Sequence, residues 1–315
     1  MSGSPVEVPA PVEALARQRA AARQARDFAS ADALRDAIVE AGWVVTDTPE
    51  GFSLAPAPPF RVYPTLADVP ARPVQDGLVC GVVLVAGWPD DVRTFVTGWV
   101  EHAPAGVPLH ALDLGDVDGA GTVLHELAAE HPGRVVDVHV AQGEAQAGWG
   151  PAVNALVGAT GAQVVVLADP SSVLDGDAVS PLVTALGEQG VVAAGWRGVD
   201  VNRDDAWRSF DAAGPGEVDA VLGYLMAVRR EAFDAVGGLA RKARFYRNAD
   251  IELSLLLREA GGRIVVPQAE LPVHQERHRG YHDSDPETRD RESRRTYDRI
   301  LQRFRGRDDL LAPRG

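Results

Sequence analysis

From residue 78 onward, apolar runs of strand length alternate with segments whose apolar residues recur at helical spacing. Leu78–Ala86, Leu109–Leu114, Arg134–Val140 and Val164–Ala168 read as strands, and the spacing predicts helices near Asp91–His102, Thr122–His131 and Pro151–Ala159. The strand runs are apolar throughout. Such runs belong in a sheet covered on both faces, and their alternation with helices makes that sheet mainly parallel. Ligands of such sheets sit at the carboxyl ends of the strands, so the polar residues after each run are the first place to look for chemistry. Further along, Leu222–Arg230 is an apolar strand running into a helix start, Leu255–Ala260 is a helix, and residues 261–267 give another strand.

The pattern before residue 78 differs. The first ten residues read as a flexible lead. Glu13–Arg26 is rich in Ala and Arg and predicts a helix; Ser30 is placed to cap a second one, Ala31–Ala41, with Gly42 as its stop. Trp43–Thr46 and Phe52–Leu54 then flank the turn sequence Asp47-Thr48-Pro49-Glu50-Gly51 as a hairpin. Ala55–Pro73 holds six prolines and predicts a semi-rigid connector without regular structure. The expected organisation is a helix-helix-hairpin unit over 1–55, a linker over 56–75 and an α/β domain over 76–315. At the far end, Tyr297, Ile300, Leu301 and Phe304 share one helix face and should pack on the α/β domain.

Composition narrows the function. The chain has 315 residues and 45% hydrophobic content, ample for a globular core. Its longest uncharged apolar run, Gly77–Trp88, falls well short of the roughly 20 residues that span a bilayer. The Met1 start also lacks a basic-then-apolar leader, so a cytoplasmic protein without a membrane span is expected. The single cysteine, Cys80, excludes zinc-finger and disulfide-pair chemistry and reads as a buried structural thiol. A net charge of −14 opposes bulk nucleic-acid binding. That charge is unevenly spread: residues 1–60 carry −3, residues 61–240 carry −15 and residues 241–315 carry +4. A basic C-terminal quarter on an acidic body can hold a small phosphate-bearing ligand.

Several strand runs end in or lead into acids: Asp90-Asp91, Asp113, and Asp169 directly after Val164–Ala168. An aspartate there can hold a ribose hydroxyl, a base edge or a divalent metal. Later segments add Asn248-Ala249-Asp250-Ile251-Glu252-Leu253-Ser254 and His274. The ordered series Gly148–Asn154, Asp169, Met226–Gly238, Asp250–Ser254 and His274 resembles the family 2 glycosyltransferases of the GT-A fold, over about residues 78–274. The resemblance implies a nucleotide-diphosphate sugar donor, an unspecified acceptor and a divalent metal, Mg2+ or Mn2+. It implies inverting transfer with Asp250 as the base that takes the acceptor's proton. It makes Asp169 and His274 metal or diphosphate contacts, and places Asp113 at the nucleoside and Asn154 on the helix before the metal-site strand.

Departures accompany the likeness. The family's Asp-x-Asp is Asp169-Pro170-Ser171 here, and Ala249 stands where the first carboxylate of its Glu-Asp pair would be. A catalytically degenerate scaffold on the same fold is therefore the competing reading. His278 and His282 stand four apart, but Gly280 between them favours a loop, in which Arg277, Arg279 and the histidines would close over a diphosphate.

The N-terminal unit carries its own likeness. Ala25–Asp36, then Gly42, then Asp47–Gly51 resemble the C-terminal tail of cysteinyl-tRNA synthetases. That resemblance implies a tRNA-side module, and with it an RNA-associated adaptor as a third reading. However, Glu13–Glu40 holds five arginines against five acids, which gives no electrostatic case for RNA. A packing module, or one joining copies into a homo-oligomer, is the simpler expectation.

Overall fold

The computed structural model describes residues 7–48 and 51–314. They divide into two compact units at Phe60/Arg61.

The smaller unit pairs helices Ala10–Gln24 and Phe28–Glu40 and closes with the antiparallel hairpin Trp43–Thr48/Gly51–Pro56, in which Trp43 faces Pro56 and Val45 faces Leu54. Its core is small, with Val12, Ala16, Ile38 and Trp43 buried. Arg19, also buried, holds both carboxylate oxygens of Asp47 at 2.7 and 3.1 Å. The second helix begins earlier than expected. Its cap is Asp27, whose carboxylate accepts from the Ser30 backbone N–H at 3.1 Å; Ser30 is thus the capped residue and lies inside the helix. Residues 1–6 of the expected lead and Pro49-Glu50 of the expected turn lie outside the described residues.

Among the described residues the larger unit is built on a nine-stranded sheet. Its longest strand is Gln75–Val85. On one side follow Leu109–Asp113, Val135–Val140 and the edge strand Val62–Tyr63, all parallel. On the other lie Ala162–Ala168 (parallel), Leu225–Arg229 (antiparallel to both neighbours), Val191–Gly195, Arg263–Val266 and the edge strand Gly216–Glu217. Alternate residues of one strand enter different cores. Val83 and Val85 pack with Phe95, Trp99 and Leu124 on one face, whereas Cys80 and Val82 pack with Leu156, Met226 and Leu253 on the other. This two-sided cover explains the unbroken apolar runs.

Residues 62–63 and 66–68, expected to be structureless linker, are an edge strand and a 3-10 turn. The prolines flank the strand instead of interrupting it, and a Thr65/Asp68 capping box closes the turn. Helix Pro286–Phe304 buries Ile300 and Phe304 in a third core with Val199, Val201, Trp207, Ile251 and Leu255. Leu301 packs against that core and the Tyr297 hydroxyl donates to the Trp207 carbonyl at 2.5 Å, so all four residues of the expected face are engaged.

Candidate functional site

Chain direction locates the site. After Gln75–Val85 the next two main strands are added on one side, and Ala162–Ala168 is then added on the other. The carboxyl ends of Gln75–Val85 and Ala162–Ala168 therefore flank a topological switch point, where connections diverge and leave a crevice. A cavity of about 910 Å3 opens there. Its floor includes Ala86-Gly87-Trp88 and Asp169-Pro170-Ser171, which directly follow those two strands.

Asp169 is held from two sides. Oδ1 accepts from the Ser171 backbone N–H at 2.9 Å and from its hydroxyl at 2.5 Å, while Oδ2 lies 2.7 Å from His278 Nε2. His278 Nδ1 meets the Tyr246 hydroxyl at 2.9 Å, completing an Asp169–His278–Tyr246 chain. Strand pairing brings these together: Val273–Gln275 runs antiparallel to Ser172–Leu174, and the Glu276 N–H donates to the Ser171 carbonyl at 2.8 Å. The chain then passes above Asp169 and starts the one-turn helix Arg279–His282, where a loop was expected. Burial, with the Asp169 charge nearby, pushes the Tyr246 phenol far above its ordinary range, so it stays protonated and able to donate.

Asp250 enters the cavity from the first turn of helix Ala249–Glu259, which begins six residues before the expected Leu255 start. Its Oδ2 accepts from the Gly223 N–H and its Oδ1 from the Ile251 N–H, each at 2.8 Å. Desolvation by the surrounding protein raises its pKa to about 6, against the smaller opposing pull of those backbone bonds and of Arg247. The result is a carboxylate fixed in orientation and poised near neutral pH, the state suited to accepting a proton.

The rim is cationic. Arg197, Arg244, Arg247, Arg277 and Arg279 line the cavity against the acids Asp91, Asp169, Asp250 and Glu276, in a chain that is strongly acidic overall. Arg197 stacks on Trp196, 4.1 Å from the ring centroid, and Arg247 donates to the Tyr281 hydroxyl at 2.7 Å. Arg277 pairs with Asp283 at 2.6 Å and Arg279 with Asp91 at 3.4 Å.

Of the residues singled out in the sequence, Asp91, Asp169, Asp250, Arg277, His278, Arg279 and His282 thus line one cavity. Asp113, Asn154 and His274 do not line it. Asp113 is 1% exposed; it accepts from the Asp116 N–H with both oxygens and faces His139. It ends its strand pointing into protein and does not line the cavity. Asn154 is a clamp: its amide donates to the Leu239 carbonyl at 2.8 Å and its oxygen accepts from the Leu239 N–H at 2.9 Å. His274 is 47% exposed, 2.7 Å from Asp175 and 3.2 Å from Glu276, and the Asp175 contact is the main cause of its raised pKa. Its strand register directs it at Asp175, away from Asp169. The histidine beside Asp169 is His278, four residues on. The approach of that loop to Asp169 depends on a strand pairing across about a hundred residues, which no local pattern announces. Tyr246 and Arg197 were not singled out; the aromatic pair Phe245-Tyr246 beside Asp250 was the available signal.

Residues 6–51 match the family described as "Cysteinyl-tRNA ligase anticodon binding domain". The cysteine–tRNA ligase of Opitutus terrae is 61% identical over 51 residues, which is 16% of this chain and 11% of that protein. An uncharacterized protein of Sinorhizobium fredii, y4gI, is 39% identical over 90 residues, 28% of this chain and 10% of its own length. The chain thus spans about a tenth of these curated relatives. Among solved structures, mannosyltransferase PcManGT from Pyrobaculum calidifontis, in complex with GDP-Man and Mn2+, superposes with a TM-score of 0.52 at 19% identity, over 71% of this chain and 62% of that one. GalNAc-T7 with UDP, GalNAc and Mn2+ gives a TM-score of 0.56 at 13% identity, over 72% and 48%. The larger unit has the GT-A glycosyltransferase fold, a mainly parallel α/β sheet with flanking helices. Among the described residues no helix is long and apolar enough to cross a membrane.

Proposed function

We propose that the larger unit is a glycosyltransferase of the family 2 type, moving a sugar from a nucleotide-diphosphate donor to an acceptor hydroxyl by an inverting route. The observation that carries this reading is the convergence of Asp250 and the Asp169–His278 pair on one arginine-rimmed cavity at the switch point. Asp250, oriented by Gly223 and Ile251, takes the acceptor's proton as its oxygen attacks the anomeric carbon. The sugar–phosphate bond breaks and the nucleoside diphosphate leaves with the bonding electrons. The rim arginines lower the cost of that developing charge.

The donor set at Asp169 fits a divalent ion such as Mn2+ or Mg2+, with one carboxylate and one imidazole, the remaining positions falling to diphosphate and water oxygens. When bound, the ion would neutralise diphosphate charge. Ser171 replaces the missing second carboxylate and orients Asp169 through its hydroxyl and N–H. Tyr246 fixes the ring of His278. The two solved relatives named above hold Mn2+ with a nucleotide or nucleotide sugar, which supports this assignment.

The test is nucleoside-diphosphate release from a panel of nucleotide sugars with Mn2+. The expected result is turnover lost in Asp250→Asn, together with nucleotide binding that Asp250→Asn retains and Asp169→Asn weakens. Binding without turnover in the native protein would favour the scaffold reading. Absence of any nucleotide binding would end both. For the N-terminal unit we propose a packing role, because four of its five arginines pair with acids: Arg19 and Arg23 with Asp47, Arg17 with Glu13 and Arg35 with Asp32 and Asp36.

A further inference from the structure

Outside the cavity, one cluster joins three elements. His125 comes from helix Ala120–Glu130, and Asp137 and His139 from strand Val135–Val140, where two-residue spacing puts both side chains on the helix-covered face. His125 Nδ1 lies 2.7 Å and His139 Nε2 2.9 Å from the same oxygen of Asp137, Oδ2. Behind His139, on its Nδ1 side, stands Asp113 at 3.1 Å, itself fixed by two 3.0 Å bonds from the Asp116 N–H.

We propose that His125, Asp137 and His139 bind a Zn2+ ion, with Asp113 as the outer partner of His139. Two imidazoles and one carboxylate are a borderline-soft set that suits zinc better than Mg2+ or Ca2+, which prefer oxygens. The three donor atoms lie within 4.8 Å of one another. Zinc bonds of about 2.0–2.2 Å put tetrahedral neighbours about 3.4 Å apart, so the ion enters after a small separation of groups already in place. The Asp113–His139 contact is the carboxylate–histidine arrangement that fixes the metallated nitrogen, here directing Nε2 toward Asp137. His139 is 2% exposed, whereas His125 and Asp137 are partly exposed, which leaves an entry path and a fourth position for water. The bound ion ties the helix to its strand.

None of these residues lines the proposed donor cavity, so the two sites separate experimentally. The measurement is calorimetric titration of chelator-stripped full-length protein with ZnCl2, alongside Asp169→Asn, His125→Ala and Asp113→Asn. We expect a Zn2+ site that survives Asp169→Asn, weakens roughly 100-fold or more in His125→Ala, and weakens about 10–100-fold in Asp113→Asn, as outer-partner losses do. His125 is partly exposed, and circular dichroism checks that its substitution leaves the fold intact. Zinc affinity unchanged in His125→Ala, or no uptake by the native chain, overturns the proposal; so does binding abolished by Asp169→Asn.

Discussion

At the scale of single residues, Asp250 makes opposing demands on stability and function. Its folded pKa lies above its unfolded value, so the folded protein holds that proton more tightly. The stabilisation this brings is present in acid and is lost as pH rises from about 4 through about 6. Above that window the burial of its charge is a cost. The free energy of unfolding of Asp250→Asn relative to the native chain should therefore be higher at pH 7.5 than at pH 4, by up to about 3 kcal/mol. Urea titrations at both pH values check this. Under the proposed mechanism turnover should climb through about pH 6 and level off above 7, and the same variant should lose about 10²–10⁴-fold in kcat. A second comparison separates the two histidines flanking the site. His278→Ala should lower nucleoside-diphosphate release by about 10² or more, whereas His274→Ala, at an exposed ion pair, should stay within about two-fold. Cys80 is buried, which pushes its thiol up to about 11, so it should react with a thiol reagent only after unfolding, as a mass-spectrometric labelling time course would show.

At the scale of elements, the helix that carries Asp250 is held from behind. Arg299 of the C-terminal helix bonds both oxygens of Glu252, at 2.9 and 2.7 Å, and Arg258 reaches the Val218 and Leu310 carbonyls. Arg299→Ala leaves the buried Glu252 without that guanidinium; a stability loss of about 2–3 kcal/mol by urea unfolding is expected. The same scale shows what could be read from the chain alone. The strands and helices over 78–168 were legible because each is a local pattern, and Asp169 was legible because it directly follows one of them. The Asp250 helix was placed six residues late, since its opening residues, Ala249–Ser254, mix acids and apolar residues; Asn248, of a type that caps helices, stands at its start in the left-handed region and makes no side-chain cap bond. His278 was legible as a residue of the closing segment, but its contact with Asp169 was not, because that approach is made by the pairing of Val273–Gln275 with Ser172–Leu174. Asp113 had the right position on its strand, but which way a strand-end side chain turns depends on a neighbour, here His139. The prolines of 56–73 announced irregular structure and hid a two-residue edge strand too short to have a pattern.

At the scale of the molecule, the acidic excess and the arginine-rimmed cavity coexist because the cations are concentrated in the last quarter of the sequence, which supplies four of the five rim arginines. That order bears on synthesis. Four parallel strands, Gln75–Val85, Leu109–Asp113, Val135–Val140 and Ala162–Ala168, are neighbours in space and close in sequence, so they can assemble as they emerge. Val191–Gly195 cannot join them directly: Leu225–Arg229, made some thirty residues later, is the strand between. The antiparallel insertion thus acts as a keystone, and a nascent chain stopped near residue 215 should expose both Ala162–Ala168 and Val191–Gly195 as open edges. Limited proteolysis of ribosome-bound chains of increasing length should show protection of 191–195 arriving only once residue 229 has cleared the exit tunnel. Protection already present in the shorter chains would rule out this order of assembly.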